Sequence, residues 1–174
     1  MYDLNEQKIL KTIFENPTTK FHLLELARQT KLHPNTVLNT LKVLEKKGLI
    51  IQEKKKYLKE ISGNKDNPFF NIEKRVFNLN QIYESGILDV IVKKFNPESV
   101  SIIGSYSRGE DIENSDIDMV IISKEKYSNI SLEKFERILK RKIHLLVLRY
   151  KEMSEEFYIN FINGVIIYGA INKK

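Results

Sequence analysis

The chain contains no cysteine, which excludes disulfides and thiolate metal sites. Long apolar runs are also missing. Hydrophobic residues fill 41% of 174 positions, enough for real cores, yet no stretch nears the ~18 uninterrupted apolar residues of a membrane span. Met1-Tyr2-Asp3-Leu4-Asn5-Glu6 has neither a basic segment nor an apolar one and does not read as a signal peptide. A cytoplasmic protein without membrane association is the expectation. Proline occurs four times, and each time it falls at an expected boundary between elements.

What is abundant is charge, and it is uneven. The formal net charge is +6. Residues 1–64 carry 12 Lys/Arg against 7 Asp/Glu, a net of +5, while residues 65–174 carry 17 against 16, a net of +1. A basic first part beside a near-neutral remainder suggests a polyanionic partner for the first part, or simply a lysine-rich composition. The length allows one large or two small domains.

Leu4, Ile9, Leu10, Ile13 and Phe14 recur at helical spacing, and Asn16-Pro17 closes that helix. A short second helix spans 21–30. After the turn Lys31-Leu32-His33, Pro34 suits the first position of a third helix, which runs to about Lys47 with Gly48 as its cap. Leu49–Glu53 and Tyr57–Ile61 read as strands around the basic turn Lys54-Lys55-Lys56. Helix, helix, turn, helix, hairpin over residues 1–63 is a winged helix-turn-helix. Asn35, Thr36, Asn39 and Lys42 share the third helix's polar face, where Asn suits adenine and Lys suits guanine or phosphate. That face is a DNA reader or an ordinary solvated surface. Leu38 lies beside it as a thymine-methyl contact or as core. Lys54, Lys55 and Lys56 would meet phosphates, or serve solubility. His22 and His33 have no partner pattern and read as structural or surface.

Residues 64–80 read as a connection: a polar linker, then an apolar stripe (Phe69, Phe70, Ile72, Val76, Phe77, Leu79) suited to packing between domains or subunits. Residues 81–174 form the second domain. A helix is expected over 80–95, strands at 99–103, 117–123, 143–149 and 164–169, and helices near 131–141, with Ser131 as N-cap, and 152–162. The fold class is α+β, the second domain holding a small mixed sheet.

Two stretches there carry chemistry. The strand ending at Ile103 runs into Gly104-Ser105, a turn able to offer backbone N–H groups and a hydroxyl to phosphate oxygens. Gly104 lets the backbone approach a ligand closely. After ten intervening residues, Asp116 and Asp118 open the next strand and project from one side of it. Paired carboxylates on a rigid strand suit a hard divalent cation. Phosphate cradle plus metal carboxylates is the layout of phosphoryl or nucleotidyl transfer. Glu110, Asp111 and Glu113 read as a solvated acidic loop.

The pattern of Gly104-Ser105, Arg108-Gly109, Ser115 and Asp116-x-Asp118 resembles the minimal nucleotidyltransferases of the DNA polymerase β superfamily, over roughly residues 80–170. His33–Ile50 resembles the recognition helix and first wing strand of many prokaryotic winged-helix regulators. The first resemblance implies an NTP held at Gly104 and Ser105, a phosphate braced by Arg108, a loop fixed by Ser115, and Mg²⁺ or Mn²⁺ at Asp116 and Asp118. It also implies a third carboxylate from a later strand, able to deprotonate the acceptor hydroxyl. His144 stands at that place, and no Asp or Glu occurs from Arg137 to Lys151. Mg²⁺ binds imidazole poorly, so three readings stay open for His144: an altered catalytic base, the relic of an inactive site, or a packed or hydrogen-bonded histidine with the third group elsewhere.

Two functions lead, with an RNA-tail or tRNA-acting enzyme, its winged helix gripping duplex nucleic acid, behind them. One is an enzyme moving NMP from an NTP to a hydroxyl on a protein or nucleic acid; relatives of this kind include antitoxins that modify a partner toxin. The other is a catalytically inactive nucleotidyltransferase-like transcriptional regulator. Double-stranded DNA is the expected partner of the first domain, and a homodimer the expected assembly.

Overall fold

The computed structural model describes residues 2–55, 58–124 and 130–171. The chain divides into two units, Met1–Phe77 and Asn78–Lys174.

In the first unit, α1 (Leu4–Glu15) starts at a capping box. The Asp3 carboxylate accepts from the N–H groups of Asn5 and Glu6, and Glu6 reaches back to the Asp3 N–H. α2 (Leu23–Thr30) and α3 (Pro34–Lys46) follow, with Pro34 at the start of α3 and His33 Nδ1 accepting from the Asn35 N–H. β1 (Ile50–Lys55) and β2 (Leu58–Gly63) pair antiparallel from Ile50↔Gly63 to Lys55↔Leu58. Phe21 adds one antiparallel bridge to Ile61. Val37, Leu41 and Leu44 on α3 pack with Ile9, Ile13 and Leu26 in one core. The second strand runs two residues past its expected end at Ile61, and Lys56 and Tyr57 lie outside the described residues.

The expected connection is instead a helix, α4 (Pro68–Ser85). The aromatic spacing explains it. Phe70 and Phe77 are seven residues apart, two helical turns, and both rings meet Phe14, at 5.3 and 5.5 Å between centroids. A Cβ on Gly63 would stand 2.4 Å from the Phe70 ring, so glycine there makes room for it. The stripe is therefore split: Phe70 and Phe77 join the first core, while Phe69, Ile72 and Val76 are exposed.

The helix expected over 80–95 is also two. α4 ends at Ser85, Gly86 turns the chain at φ 75°, and α5 runs over Ile87–Phe95. β3 (Ser99–Ile103), α6 (Gly104–Arg108), β4 (Ile117–Ile122), α7 (Glu133–Leu139), β5 (Ile143–Leu148), a 3₁₀ turn (Tyr150–Glu152), α8 (Glu155–Ile162) and β6 (Val165–Gly169) complete the second unit. Its four-stranded sheet has the order β5-β4-β3-β6. β3 runs antiparallel to both β4 and β6, whereas β4 and β5 are parallel, so α7 is the crossover that parallel pairing requires. Alternation then splits the strands between two cores. Ile117, Met119 and Ile121 meet α5 and α7 residues, and Val120 and Ile122 pack with Phe161 of α8.

Two helix starts differ from expectation. Ser131 caps nothing: α7 begins at Glu133 after Leu132, without a side-chain cap. The last helix starts three residues later than expected, at Glu155, after the N-cap Ser154, whose hydroxyl accepts from the Phe157 N–H at 3.2 Å. Among the described residues no helix is long and apolar enough to cross a membrane.

Phe70→Ala should cost about 3–5 kcal/mol, read by guanidinium unfolding of the full chain. A loss under about 1 kcal/mol would mean that α4 is not needed to fill the first core.

Candidate functional site

The sheet register builds the site. Asp118 on β4 pairs with Ile103 on β3 and with His144 on β5. Residues paired across a sheet project to the same face. One row thus carries the end of β3, one carboxylate and the imidazole. Asp116, two residues before Asp118, extends the same side. His144 Nδ1 lies 3.4 Å from Asp118 Oδ1, and its Nε2 3.8 Å from Asp116 Oδ2. The His144 side chain is 66% exposed, so it is not packed into a core, and the reading as a hydrogen-bonded histidine stays open beside the other two. The two aspartate side chains are about half exposed.

Gly104 follows directly. Gly104-Ser105 forms the first turn of the short helix α6, not an isolated turn. Gly104 has φ +73°, and a Cβ there would stand 3.1 Å from Asp118 Oδ2. Glycine therefore serves both the backbone and the neighbouring carboxylate. The first N–H groups of a helix have no partner inside it, and Ser105, half-buried, sits among them. Ser107 is tied down, its hydroxyl donating to the Gly104 carbonyl at 2.8 Å.

The other expected residues divide. Arg108, expected at a phosphate, is exposed and bonded to Glu110 through Nε at 2.7 Å. Ser115 holds the loop, its hydroxyl accepting the Ile112 N–H at 2.9 Å. Asp111 corrects the solvated-loop expectation. It is 2% exposed, accepts from Asn78 Nδ2 at 2.7 Å, and lies 3.8 Å from Arg141 Nη2. Asn78 also donates to the Tyr106 carbonyl. A buried carboxylate needs such partners, so Asp111 anchors the loop between α6 and β4. Nothing in the local pattern separates it from Glu110 and Glu113; its partners are 33 and 30 residues away in sequence.

Asp116 and Asp118, each within 4 Å of His144, are oxygen donors of the kind a hard divalent cation takes, and imidazole is a poor ligand for Mg²⁺. The two carboxylates fit such a cation with phosphate oxygens completing its shell. Among the described residues no group of three or more candidate ligands has metal-site geometry.

In the first unit, Asn35, Asn39 and Lys42 are exposed along α3 and Thr36 is half-buried, with Thr40 Oγ1 donating to its carbonyl. Leu38 and Val43 are exposed between them, at 37% and 45%. Leu38 is thus surface, not core. Val43 was not anticipated, although its i+4 offset from Asn39 puts it on this face. On the hairpin, Lys54 and Lys55 are exposed; Lys55 pairs with Glu60 at 3.4 Å. The hydrogen bond from Lys20 holds the Glu60 carboxyl below its usual range, and Glu60 raises Lys20 in return. His22 and His33 are structural, Nδ1 of His22 lying 3.1 Å from the Lys59 carbonyl.

Residues 85–172, half of the chain, match the family described as Polymerase beta, Nucleotidyltransferase. Residues 2–51 match the family described as Winged helix-turn-helix DNA-binding. Neither a curated protein nor a solved structure matches the chain.

Gly104→Ala should lower stability by about 1–2 kcal/mol, the cost of a left-handed backbone for an L-residue, read as a lower Tm; an unchanged Tm would contradict the strain. Lys54→Gln with Lys55→Gln should flatten the salt dependence of duplex DNA binding by about 2 in log–log slope, at ~0.9 per phosphate contact, measured by fluorescence anisotropy.

Proposed function

Because this chain belongs to the polymerase β nucleotidyltransferase family and carries a winged helix-turn-helix DNA-binding domain before it, we propose that it transfers NMP from an NTP to a hydroxyl acceptor. The observation that supports this is the row joining Gly104, Asp118 and His144, with Asp116 beside it.

The triphosphate lies against Gly104 and Ser105. Arg108 exchanges Glu110 for a phosphate, a trade between two exposed partners that costs little. Asp116 and Asp118 hold Mg²⁺ or Mn²⁺, which supplies charge neutralisation on the phosphates. Asp118 also orients His144. With the Nδ1 proton directed at Asp118, Nε2 is left as an acceptor, the logic of a carboxylate–histidine pair. Nε2 takes the acceptor's proton, the acceptor oxygen bonds to the α-phosphorus, the bond from α-phosphorus to the bridging oxygen breaks, and pyrophosphate leaves. His144 thus stands in for the carboxylate base. The fused winged helix keeps the activity near duplex DNA, and a partner toxin is one acceptor that this arrangement would suit. The exposed Phe69, Ile72 and Val76 on α4 are the proposed contact of a homodimer.

A second reading rests on the same histidine. Exposed and beside both carboxylates, His144 replaces an anionic ligand with a neutral one, which weakens metal binding and favours an inactive regulator.

One experiment separates them: labelled NTPs with cell extract and Mg²⁺ or Mn²⁺, comparing wild type, Asp118→Asn, His144→Ala and His144→Asp. The enzyme reading expects transfer by wild type, a loss of 10²-fold or more in His144→Ala, as for removal of a general base, and no transfer by Asp118→Asn. Transfer by His144→Asp alone would show a degraded site and leave the regulator.

A further inference from the structure

The second unit has a net charge of about +1 over residues 65–174, yet residues 133–142 alone carry five Lys/Arg against two Asp/Glu, a net of +3. Everything else from 65 to 174 therefore sums to −2. The cations gather where α7 turns into β5. Arg137, Lys140 and Lys142 are exposed and line, with Arg141 and two glutamates, an open cavity of about 620 Å³. Arg141 differs from its neighbours: its side chain is 9% exposed and lies against buried Asp111. It pins the turn while Lys140 and Lys142 on either side stay outward. Glu136 does the same at the strand start, its Oε1 accepting the Ile143 N–H at 3.1 Å and its Oε2 lying 3.5 Å from Lys142 Nζ. The two glutamates offset only part of the charge.

The position is informative. Lys142 is two residues from His144, about 6.6 Å along the strand. The shelf is at the same end of the sheet as Asp116 and Asp118, since the Lys142 carbonyl accepts the Ile117 N–H. Yet α7 covers the opposite face from Asp118, the side of Ile117 and Met119. The shelf is thus outside the place where an NTP would sit, and a bound partner that meets both must be extended and must carry repeated negative charge. A nucleic-acid strand has both properties: one phosphate per nucleotide, about 3.4 Å apart along a duplex strand, and a terminal hydroxyl.

Resting on the nucleotidyltransfer reading above, we infer that Arg137, Lys140 and Lys142 form a phosphate-contacting shelf for the acceptor, a nucleic-acid strand whose 3′-hydroxyl reaches His144. Arg137 and Lys140 are one helical turn apart, and Lys142 carries the track toward the sheet end. Dense, regular phosphates favour a nucleic acid over an acidic protein, whose carboxylates have no fixed period.

The test uses the full chain and labelled single-stranded 12-mers of RNA and of DNA, with a polyglutamate peptide of equal charge as a third probe. Binding is followed by anisotropy across a salt series, for wild type, for Arg137→Gln/Lys140→Gln/Lys142→Gln, for Arg137→Gln/Lys140→Gln (which spares the Lys142–Glu136 pair), and for Lys54→Gln/Lys55→Gln. All the substituted positions are exposed, and a Tm match with wild type verifies the fold. The shelf variants should bind at least one of the two 12-mers about tenfold more weakly and lose about 0.7 of log–log salt slope per cation removed; which strand responds identifies RNA or DNA. Binding to duplex DNA should be unchanged in them. Strand affinity that falls only in the wing variant, or a polyglutamate affinity that falls equally, overturns the inference. A chain that takes up NTP with Mn²⁺ by calorimetry but transfers nothing to either strand also overturns it, and leaves the nucleotide reading standing. Strand binding through the shelf with no NTP uptake overturns instead the reading on which it rests.

Discussion

The pairing of β4 between an antiparallel β3 and a parallel β5 is the constraint from which the second unit's chemistry follows. Shift β4 by one residue against either neighbour and every side chain on it changes face. Asp118 would then point into the core now filled by Met119 and Ile117, where a charge is costly. Register is held because Ile117, Met119 and Ile121 must face one core while Val120 and Ile122 face the other. Hydrophobic burial, distributed along the strand, thereby places two half-exposed carboxylates beside Gly104 and His144 at its end.

A second constraint supports the first. The loop from α6 to β4 carries Arg108, Glu110 and Ser115, and its position depends on Asp111. That carboxylate is buried and bonded to Asn78 within α4, while Arg141 approaches it from the turn before β5. One buried acid therefore ties together a helix, the motif loop and the basic turn. Removing Asn78 or Arg141 would leave a buried carboxylate short of partners, a larger penalty than the loss of one surface pair. The polar cluster beneath the loop and the apolar register of the strands act on the same few ångströms of structure.

Positive charge is concentrated in two places with different surroundings. On the winged unit it lies along α3 and the hairpin, where Asn35, Asn39 and Lys42 alternate with exposed Leu38 and Val43. Polar and apolar groups side by side on one helix can read base edges and thymine methyls. At the α7–β5 turn the cations lie among two glutamates and buried Asp111. Base-edge contacts carry sequence information, whereas phosphate contacts position a partner without it.

Much of this was legible from the chain by itself. Helical spacing, the proline at the start of α3 and the Gly-Ser and Asp-x-Asp pattern are local, and local sterics and alternation act the same way in any tertiary setting. Those signals determined both domains, the α+β class, and the candidate residues from Gly104 to Asp118. Tertiary structure decided the rest. Residues 68–79 form a helix because Phe70 and Phe77 find Phe14, fifty-six and sixty-three residues earlier, and no local pattern announces that partner. Gly86 splits one apparent helix into two. Asp111 is buried although Glu110 beside it is exposed, because Asn78 and Arg141 converge on it from afar. His144 meets both aspartates only because parallel pairing sets β5 in register with β4. Contacts between distant segments depend on packing, and packing is a property of the folded whole, not of any stretch of residues.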